Sequence, residues 1–345
     1  MKTAIRLVEK GLVPKPLIRR GIRRLLAERE REQERLHAPD RDAALRRYAA
    51  TLADAPVAPV PEKANEQHYE VPPDFYRLAL GPRLKYSSAY YADERTTLAE
   101  AEEAMLALTC ERAGLADGQE ILELGCGWGS LTLWMGEKYP GARITAVSNS
   151  APQREFVLAR AAERGITNVE VLTRDMNEFD AGRRFDRVVS VEMFEHMRNW
   201  QELLRRVRGW MRDDARLFLH VFAHRRFAYP FEARDDSDWM SEYFFTGGQM
   251  PSVDLTDFLD VPFDVENRWI VPGTHYARTS EDWLRNVERR RDEVLELFGR
   301  TYGEHAAGTW LHRWRVFFLA CAELFAWNGG ADWVVAHQTL APRGR

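Results

Sequence analysis

From about residue 98 the apolar positions alternate between two periods. "TTLAEAEEAMLALTCERAGL" carries them at helical spacing, and "EILELG" (120–125) is a short apolar run that breaks into glycines. "GSLTLWMGEKY" again reads as a helix, "RITAVSN" (143–149) as a strand, and "PQREFVLARAAERG" as a helix ending at Gly165. "VEVLTRD" (169–175) and "RVVSVE" (187–192) are strands. Leu203, Leu204, Val207, Trp210 and Met211 make a helical stripe ahead of the strand "RLFLHVFA" (216–223). Strands alternating with helices of this length predict an α/β fold whose parallel sheet is covered on both faces.

The alternation breaks at residues 224–262, an aromatic, irregular stretch that reads as an inserted lid or pocket wall. A strand (264–271), long helices (279–300 and 307–325) and a last strand, "DWVVAHQTL", close the chain. Near the start, Ile18, Ile22, Leu25 and Leu26 keep helical spacing after Pro16, and Arg19, Arg20, Arg23 and Arg24 fill the opposite face. Such a basic amphipathic helix either packs on its own domain with Arg in water, the favoured reading, or touches an anionic membrane surface. Residues 50–62, rich in Ala and Pro, read as a linker. The expected organisation is a helical extension and linker over 1–62 and one catalytic domain over 63–345, with the insertion at about 224–262.

Composition narrows the class. The 345 residues are 45% hydrophobic and 30% charged, with a net charge of −4 that argues against nucleic-acid binding. The charge is uneven, because the first 37 residues hold eleven Lys/Arg against five Glu. Cys110, Cys126 and Cys321 are widely spaced, which suits neither a disulfide framework nor a metal site and points to a reducing, cytoplasmic location. No run approaches 18 apolar residues, and the first residues lack the features of a signal peptide.

"ELGCGWGS" (123–130) follows the first strand and opens a helix. Gly125 and Gly127 allow a sharp turn and close approach to a ligand, and the helix N-terminus offers unpaired N–H groups. A dinucleotide loop has the form G-x-G-x-x-G, whereas Ser130 stands at its third position, and Ser148 and Asn149, not an acid, end the second strand. The E-x-G-x-G-x-G form resembles the first motif of class I S-adenosylmethionine-dependent methyltransferases. Ligands of open sheets bind at the C-terminal strand ends. Glu123, Asn149, Asp175 and Glu192 all fall there. "SVEMFEHM" (190–197) adds two carboxylates and an imidazole, Glu192, Glu195 and His196, at the end of the fourth strand. Each alone reads as a helix cap or an ion-pair partner. Together they suit a basic amine, which they can orient and relieve of its proton.

The chain resembles the cyclopropane-fatty-acid synthase family of methyltransferases, in its coclaurine N-methyltransferase-like branch. The motifs are "HYEVPPDFY", "LKYSSAYY", "TTLAEAEEAML", "ILELGCGWGSLTL", "AVSNSAPQREF", "VEMFEHM", "HRRFAYPFE", "YFFTGGQMPS" and "NGGADWVVAH". The resemblance implies a class I, Rossmann-like methyltransferase with a mostly parallel seven-stranded sheet. It implies S-adenosylmethionine contacts at Tyr86, Ser87, Glu123, Gly125, Gly127, Ser148, Asn149, Gln153, Asp175 and Met176. It places Glu192, Glu195 and His196 at the substrate amine, with Glu195 and His196 handling the proton, and no metal. Tyr69, Tyr243, Phe244, Trp314, Arg315 and Phe317 match positions in or near the substrate pocket, although aromatic core is the plain alternative for the rings.

Departures from the lipid-modifying enzymes favour the amine branch. Ser88 stands where they carry Cys, and Glu192 where they carry Gly. In those enzymes the Cys, a Glu, a His on the fifth strand and a late Tyr hold a bicarbonate. This chain keeps Glu195, His220 and Tyr276, so bicarbonate stays open as a second cofactor, and His220 is otherwise a satisfied core histidine. The expected activity is methyl transfer from S-adenosylmethionine to an aromatic or benzylic, tetrahydroisoquinoline-like amine. The alternatives are methylation of unsaturated lipid acyl chains and a non-catalytic binding protein. The assembly is left between monomer and homodimer.

Overall fold

A computed structural model describes residues 2–59, 71–231 and 247–344. Helices α1 (Lys2–Glu9), α2 (Lys15–His37) and α3 (Arg41–Ala53) come first, and α4 (Pro73–Ala79) and α5 (Leu98–Ala113) lead into the sheet. Thr97 and Glu100 form a reciprocal capping box that starts α5, and Gly114, with φ +64°, ends it. Then β1 (Glu120–Leu124), α6 (Ser130–Lys138), β2 (Arg143–Ser148), α7 (Ala151–Glu163), β3 (Val169–Thr173) and β4 (Phe185–Val191) follow the alternation that the apolar pattern predicts. A 3₁₀ turn at Phe194–His196 and α8 (Trp200–Gly209) lead to β5 (Met211–His224). The ribbon β6 (Tyr229–Pro230) and β7 (Gln249–Met250), then β8 (Phe263–Val271), α9 (Gly273–Arg289), α10 (Arg291–Tyr302), α11 (Glu304–Ala326) and β9 (Trp333–Pro342) complete the chain.

The main sheet has seven strands in the order β3-β2-β1-β4-β5-β9-β8. The first five run parallel, and β9 pairs antiparallel with both β5 and β8. The order reverses between β1 and β4, and a crevice opens there at the carboxyl ends of the strands. One apolar core joins α3 and α8 to the sheet through Leu45, Leu52, Leu124, Val188, Leu204 and Leu219. A second, richer in aromatics, gathers Phe75, Tyr76, Trp283, Trp314, Phe318 and Trp333 from α4, α9, α11 and β9.

Two boundaries differ from the sequence reading. The linker begins at residue 54, because α3 continues to Ala53 with Asp40 capping its start and Leu45, Ala49 and Leu52 buried. Its next residues are tied down: Asn199 Nδ2 donates to the carbonyls of Ala53 and Ala55, and Asn177 brackets the backbone N–H and C=O of Ala58. The helix expected over 279–300 is two helices broken at Arg290, whose guanidinium donates to the carbonyls of Arg77 and Leu78. The middle of the expected lid, 232–246, lies outside the described residues.

The basic helix α2 docks on its own domain, as favoured. Ile18, Ile22 and Leu26 pack against the aromatic core. Arg19 donates to Glu323 at 2.6 Å and to Glu281 at 2.9 Å, and Arg23 also pairs with Glu323. Among the described residues no helix is long and apolar enough to cross a membrane.

Candidate active site

The glycine loop is shaped by β2. The N–H groups of Gly125 and Cys126 both donate to the Val147 carbonyl, at 3.0 Å each, which folds the loop back over the strand end. Gly125 has φ +82°, and a Cβ there would lie 2.5 Å from Met193 Cγ, so only glycine fits. Gly127 has φ +51°, and its Cβ position faces open space. Glu123 is buried at the end of β1, where Thr132 Oγ1 donates to it at 2.5 Å and burial pushes its carboxyl up to about 7. At the end of β2, Ser148 Oγ donates to Gln153 Oε1 at 2.7 Å. Asp175 accepts from the Asn177 N–H at 2.8 Å.

These groups line one cavity. Its wall contains Tyr86, Ser87, Glu123, Gly125, Gly127, Ser148, Asn149, Gln153, Asp175 and Met176, and it continues to Glu192, His196 and Tyr276. It also includes residues that the sequence reading passed over: Ala58 from the linker, Lys85, Trp128 and Phe222. Lys85 stands beside the noted Tyr86, but nothing local signals that its ammonium is buried, donating to the Ser88 carbonyl at 2.8 Å. Burial lowers that ammonium to about 8.

"SVEMFEHM" forms the far wall. Ser190 Oγ donates to the Leu124 carbonyl at 3.0 Å, which ties β4 to β1. Glu192 then leaves the strand in the left-handed region, φ +48°, while its N–H donates to the His220 carbonyl at 2.8 Å. That backbone conformation is unusual for a residue with a Cβ. It aims the carboxylate at three donors from distant segments. Glu192 Oε1 accepts from the Ser88 N–H at 2.9 Å and His220 Nε2 at 3.1 Å, and Oε2 accepts from the Tyr276 hydroxyl at 2.6 Å.

The neighbouring acid has the opposite character. Glu195 Oε1 accepts from the Phe222 N–H at 2.6 Å, while Oε2 is buried with no hydrogen-bond partner among the described residues. Burial raises both carboxyls, and Glu195 also feels the Glu192 charge. Lys85, Tyr276 and the Ser88 N–H pull Glu192 back. Of the two, Glu192 therefore carries the charge and Glu195 the proton. Burial lowers His196 to about 4, so its imidazole is neutral at pH 7.

Other sequence candidates fall elsewhere. Trp314 and Phe317 are buried in the aromatic core against Phe318 and are absent from the described cavity wall. Arg315 also lies away from it, donating to Glu288 and bonded to His312. Tyr69, Tyr243 and Phe244 lie outside the described residues. His220 is fully buried behind Glu192, bonded at both ring nitrogens, and so is not a substrate contact. A bicarbonate does not fit between His220 and Tyr276, because the Glu192 carboxylate already engages both.

The family model described as mycolic acid cyclopropane synthetase matches residues 60–331. An (S)-coclaurine N-methyltransferase from Thalictrum flavum subsp. glaucum is 37% identical over 96% of this chain and 92% of its own. A pavine N-methyltransferase from the same plant is 35% identical over 84% of this chain and 82% of its own. A crystal structure of coclaurine N-methyltransferase bound to N-methylheliamine and S-adenosylhomocysteine superposes with a TM-score of 0.95 at 36% identity, covering 98% of this chain and 99% of that one. A cyclopropane synthase from Mycobacterium tuberculosis, 24% identical with a TM-score of 0.68 over 82% of this chain and 99% of its own, shares the fold. With its class I sheet, its glycine loop and these relatives, the chain belongs to the cyclopropane synthetase family of S-adenosylmethionine-dependent methyltransferases, alongside the coclaurine N-methyltransferases.

Proposed function

We propose that the protein methylates the nitrogen of a benzylisoquinoline-like amine, and that Glu192 receives this amine as its ammonium. The observation that carries the reading is the Glu192 carboxylate, fixed on the cavity wall by the Ser88 N–H, His220 and Tyr276. An uncharged alkene has no use for a buried carboxylate, whereas an ammonium offsets the cost of burying it.

The cavity suits S-adenosylmethionine, because the Gly127 Cβ position opens into space and Glu123 stands at the strand end beside it. Tyr86, Ser87, Glu123, the glycine loop, Ser148, Asn149, Gln153, Asp175 and Met176 would hold it. When bound it supplies an electrophilic methyl group: the amine lone pair forms the N–C bond as the S–C bond breaks, its electron pair leaving on sulfur. That lone pair must first be free, so an ammonium has to lose a proton. Glu192 is the better acceptor. Burial raises its carboxyl above the ordinary carboxylate range, which makes it a stronger base, whereas His196, at about 4, yields protons too readily. Neutral His196 then lines the wall beside it, and protonated Glu195 lies buried behind, so neither adds a second charge.

The test offers methyl-labelled S-adenosylmethionine with a panel of benzylic and tetrahydroisoquinoline amines, and separately with vesicles of unsaturated phospholipid. Label is expected on an amine, and to vanish in Glu192→Gln. Label on the lipid acyl chains would overturn the reading.

A further inference from the structure

Behind Glu192 runs a line of hydrogen bonds that the methyl-transfer step does not itself use. His220 of β5 and His337 of β9 lie directly opposite each other in the antiparallel pair. His337 Nε2 is 2.9 Å from His220 Nδ1, and both rings are fully buried. At the outer end, Arg112 of α5 reaches over β9, with Nη1 2.8 Å from His337 Nδ1 and its guanidinium stacked on Trp269 at 4.9 Å.

The protonation states along this line follow from one fixed point. A guanidinium only donates. His337 Nδ1 must therefore accept, which puts the ring proton on Nε2. That proton goes to His220 Nδ1, which must also accept. His220 then carries its own proton on Nε2, the atom 3.1 Å from Glu192 Oε1. A second proton on either ring would set donor against donor. We propose that Arg112 and His337 are positioning residues for the methyl transfer: they lock His220 as the Nε2–H tautomer and so hold Glu192 as a hydrogen-bond acceptor facing the amine. The inference rests on the reading of Glu192 given above.

The surrounding charges agree with this. Burial, Lys85 and Arg112 all lower His220, and burial, His220 and Arg112 lower His337, so both rings stay neutral. Glu192 itself faces Lys85 from the segment before α5, Glu195 and His196 from the turn after β4, His220 from β5, Tyr276 from α9 and Cys321 from α11. Arg112 further feels Glu111 and Tyr90. Without Arg112, His220 and His337 are free to exchange tautomers. The Nδ1–H form of His220 then turns a lone pair toward Glu192 and favours protonated Glu192, which cannot take the proton of the amine.

The experiment compares Arg112→Met, Arg112→Lys, His337→Leu and His337→Gln, whose amide can still donate to His220. Expected for Arg112→Met and His337→Leu are at least a tenfold fall in kcat, S-adenosylhomocysteine affinity within twofold of wild type, and an acid limb of kcat moved up by about one pH unit. The Lys and Gln variants should recover most of the loss. In protein labelled with ¹⁵N-histidine, the Nε2–H signature of His220 should weaken in Arg112→Met. A variant with wild-type kcat and an unmoved acid limb overturns the proposal. So does a loss that tracks Tm and cofactor affinity and is not recovered by Lys or Gln. If Arg112→Met does not fold, the His337 pair and the histidine spectra decide. An active Glu192→Gln enzyme would instead refute the amine-binding reading beneath it.

Discussion

Replacing Glu192 with glycine isolates what the carboxylate does, because the backbone there already has φ +48° and glycine adopts it without strain. The substitution removes the acceptor but leaves its three donors, the Ser88 N–H, His220 Nε2 and the Tyr276 hydroxyl, around a space the size of a carboxylate. A hydrogen bond to a charged group contributes about 1.5–3 kcal/mol, and the amine loses one such contact. Loss of a positioned proton acceptor lowers the rate by about 10²–10⁴-fold. Together these predict kcat/KM down by about 10³-fold or more, with cofactor affinity unchanged because the glycine loop is untouched. The same donors should then take up a small carboxylate from solution. Formate, acetate or bicarbonate at tens of millimolar, about the weak affinity expected of one small anion, should restore a measurable part of the activity in Glu192→Gly and none in wild type. The assay is methyl transfer to the best amine of the panel, with and without each anion, at constant ionic strength. Near-wild-type activity in Glu192→Gly would refute the role of the carboxylate. No rescue by any anion, in a folded variant that still binds S-adenosylhomocysteine, would refute the picture of three donors converging on one acceptor.

Three further outcomes follow from other parts of the molecule. Glu195 is buried with its carboxyl raised well above the ordinary range, so wild-type stability falls as pH climbs above the unfolded value of about 4.3; the Tm of Glu195→Gln should gain on wild type as pH rises from there, and parallel Tm–pH curves would contradict this. Gly127→Val places a side chain in the open space beside the loop at φ +51°, and calorimetry should find S-adenosylhomocysteine binding weakened at least ~100-fold, as steric exclusion from a tight site requires. Arg19→Ala with Arg23→Ala strips both cations from Glu323, whose side chain is only 6% exposed, and should cost about 3 kcal/mol in denaturant unfolding; a loss of vesicle binding with stability unchanged would revive the membrane reading of α2.

Local sequence carried much of this architecture. The first four parallel strands lie where short apolar runs end in Gly, Asn, Asp or Glu, because a strand buried on both faces must be apolar and its carboxyl end must open onto the crevice. Helix α2 was ambiguous for a physical reason. An Arg-rich face beside Ile18 and Ile22 reads alike over lipid and over protein, and the acids that decide it, Glu281 and Glu323, lie more than 250 positions away. Trp314 and Phe317 were ambiguous in the same way, since spacing on a helix does not tell a core ring from a pocket ring. The split of 279–300 into α9 and α10 depends on Arg290 reaching α4, again a contact that no local pattern contains.

The active-site cluster shows the limit most sharply. "SVEMFEHM" placed two acids and a histidine together, but not their division of labour. That division comes from partners 104, 28 and 84 positions away: Ser88, His220 and Tyr276. They reach Glu192 and not Glu195 because the left-handed residue after β4 turns the Glu192 side chain toward β5 and α9, while the next 3₁₀ turn carries Glu195 back under the backbone of Phe222. The sequence reading gave the proton to Glu195 and His196. We propose Glu192 for that role instead, because its carboxylate combines a place on the cavity wall with donors able to hold its charge. A carboxylate that the chain itself fixes on the cavity wall, with three donors around it, favours a cationic partner over an uncharged one.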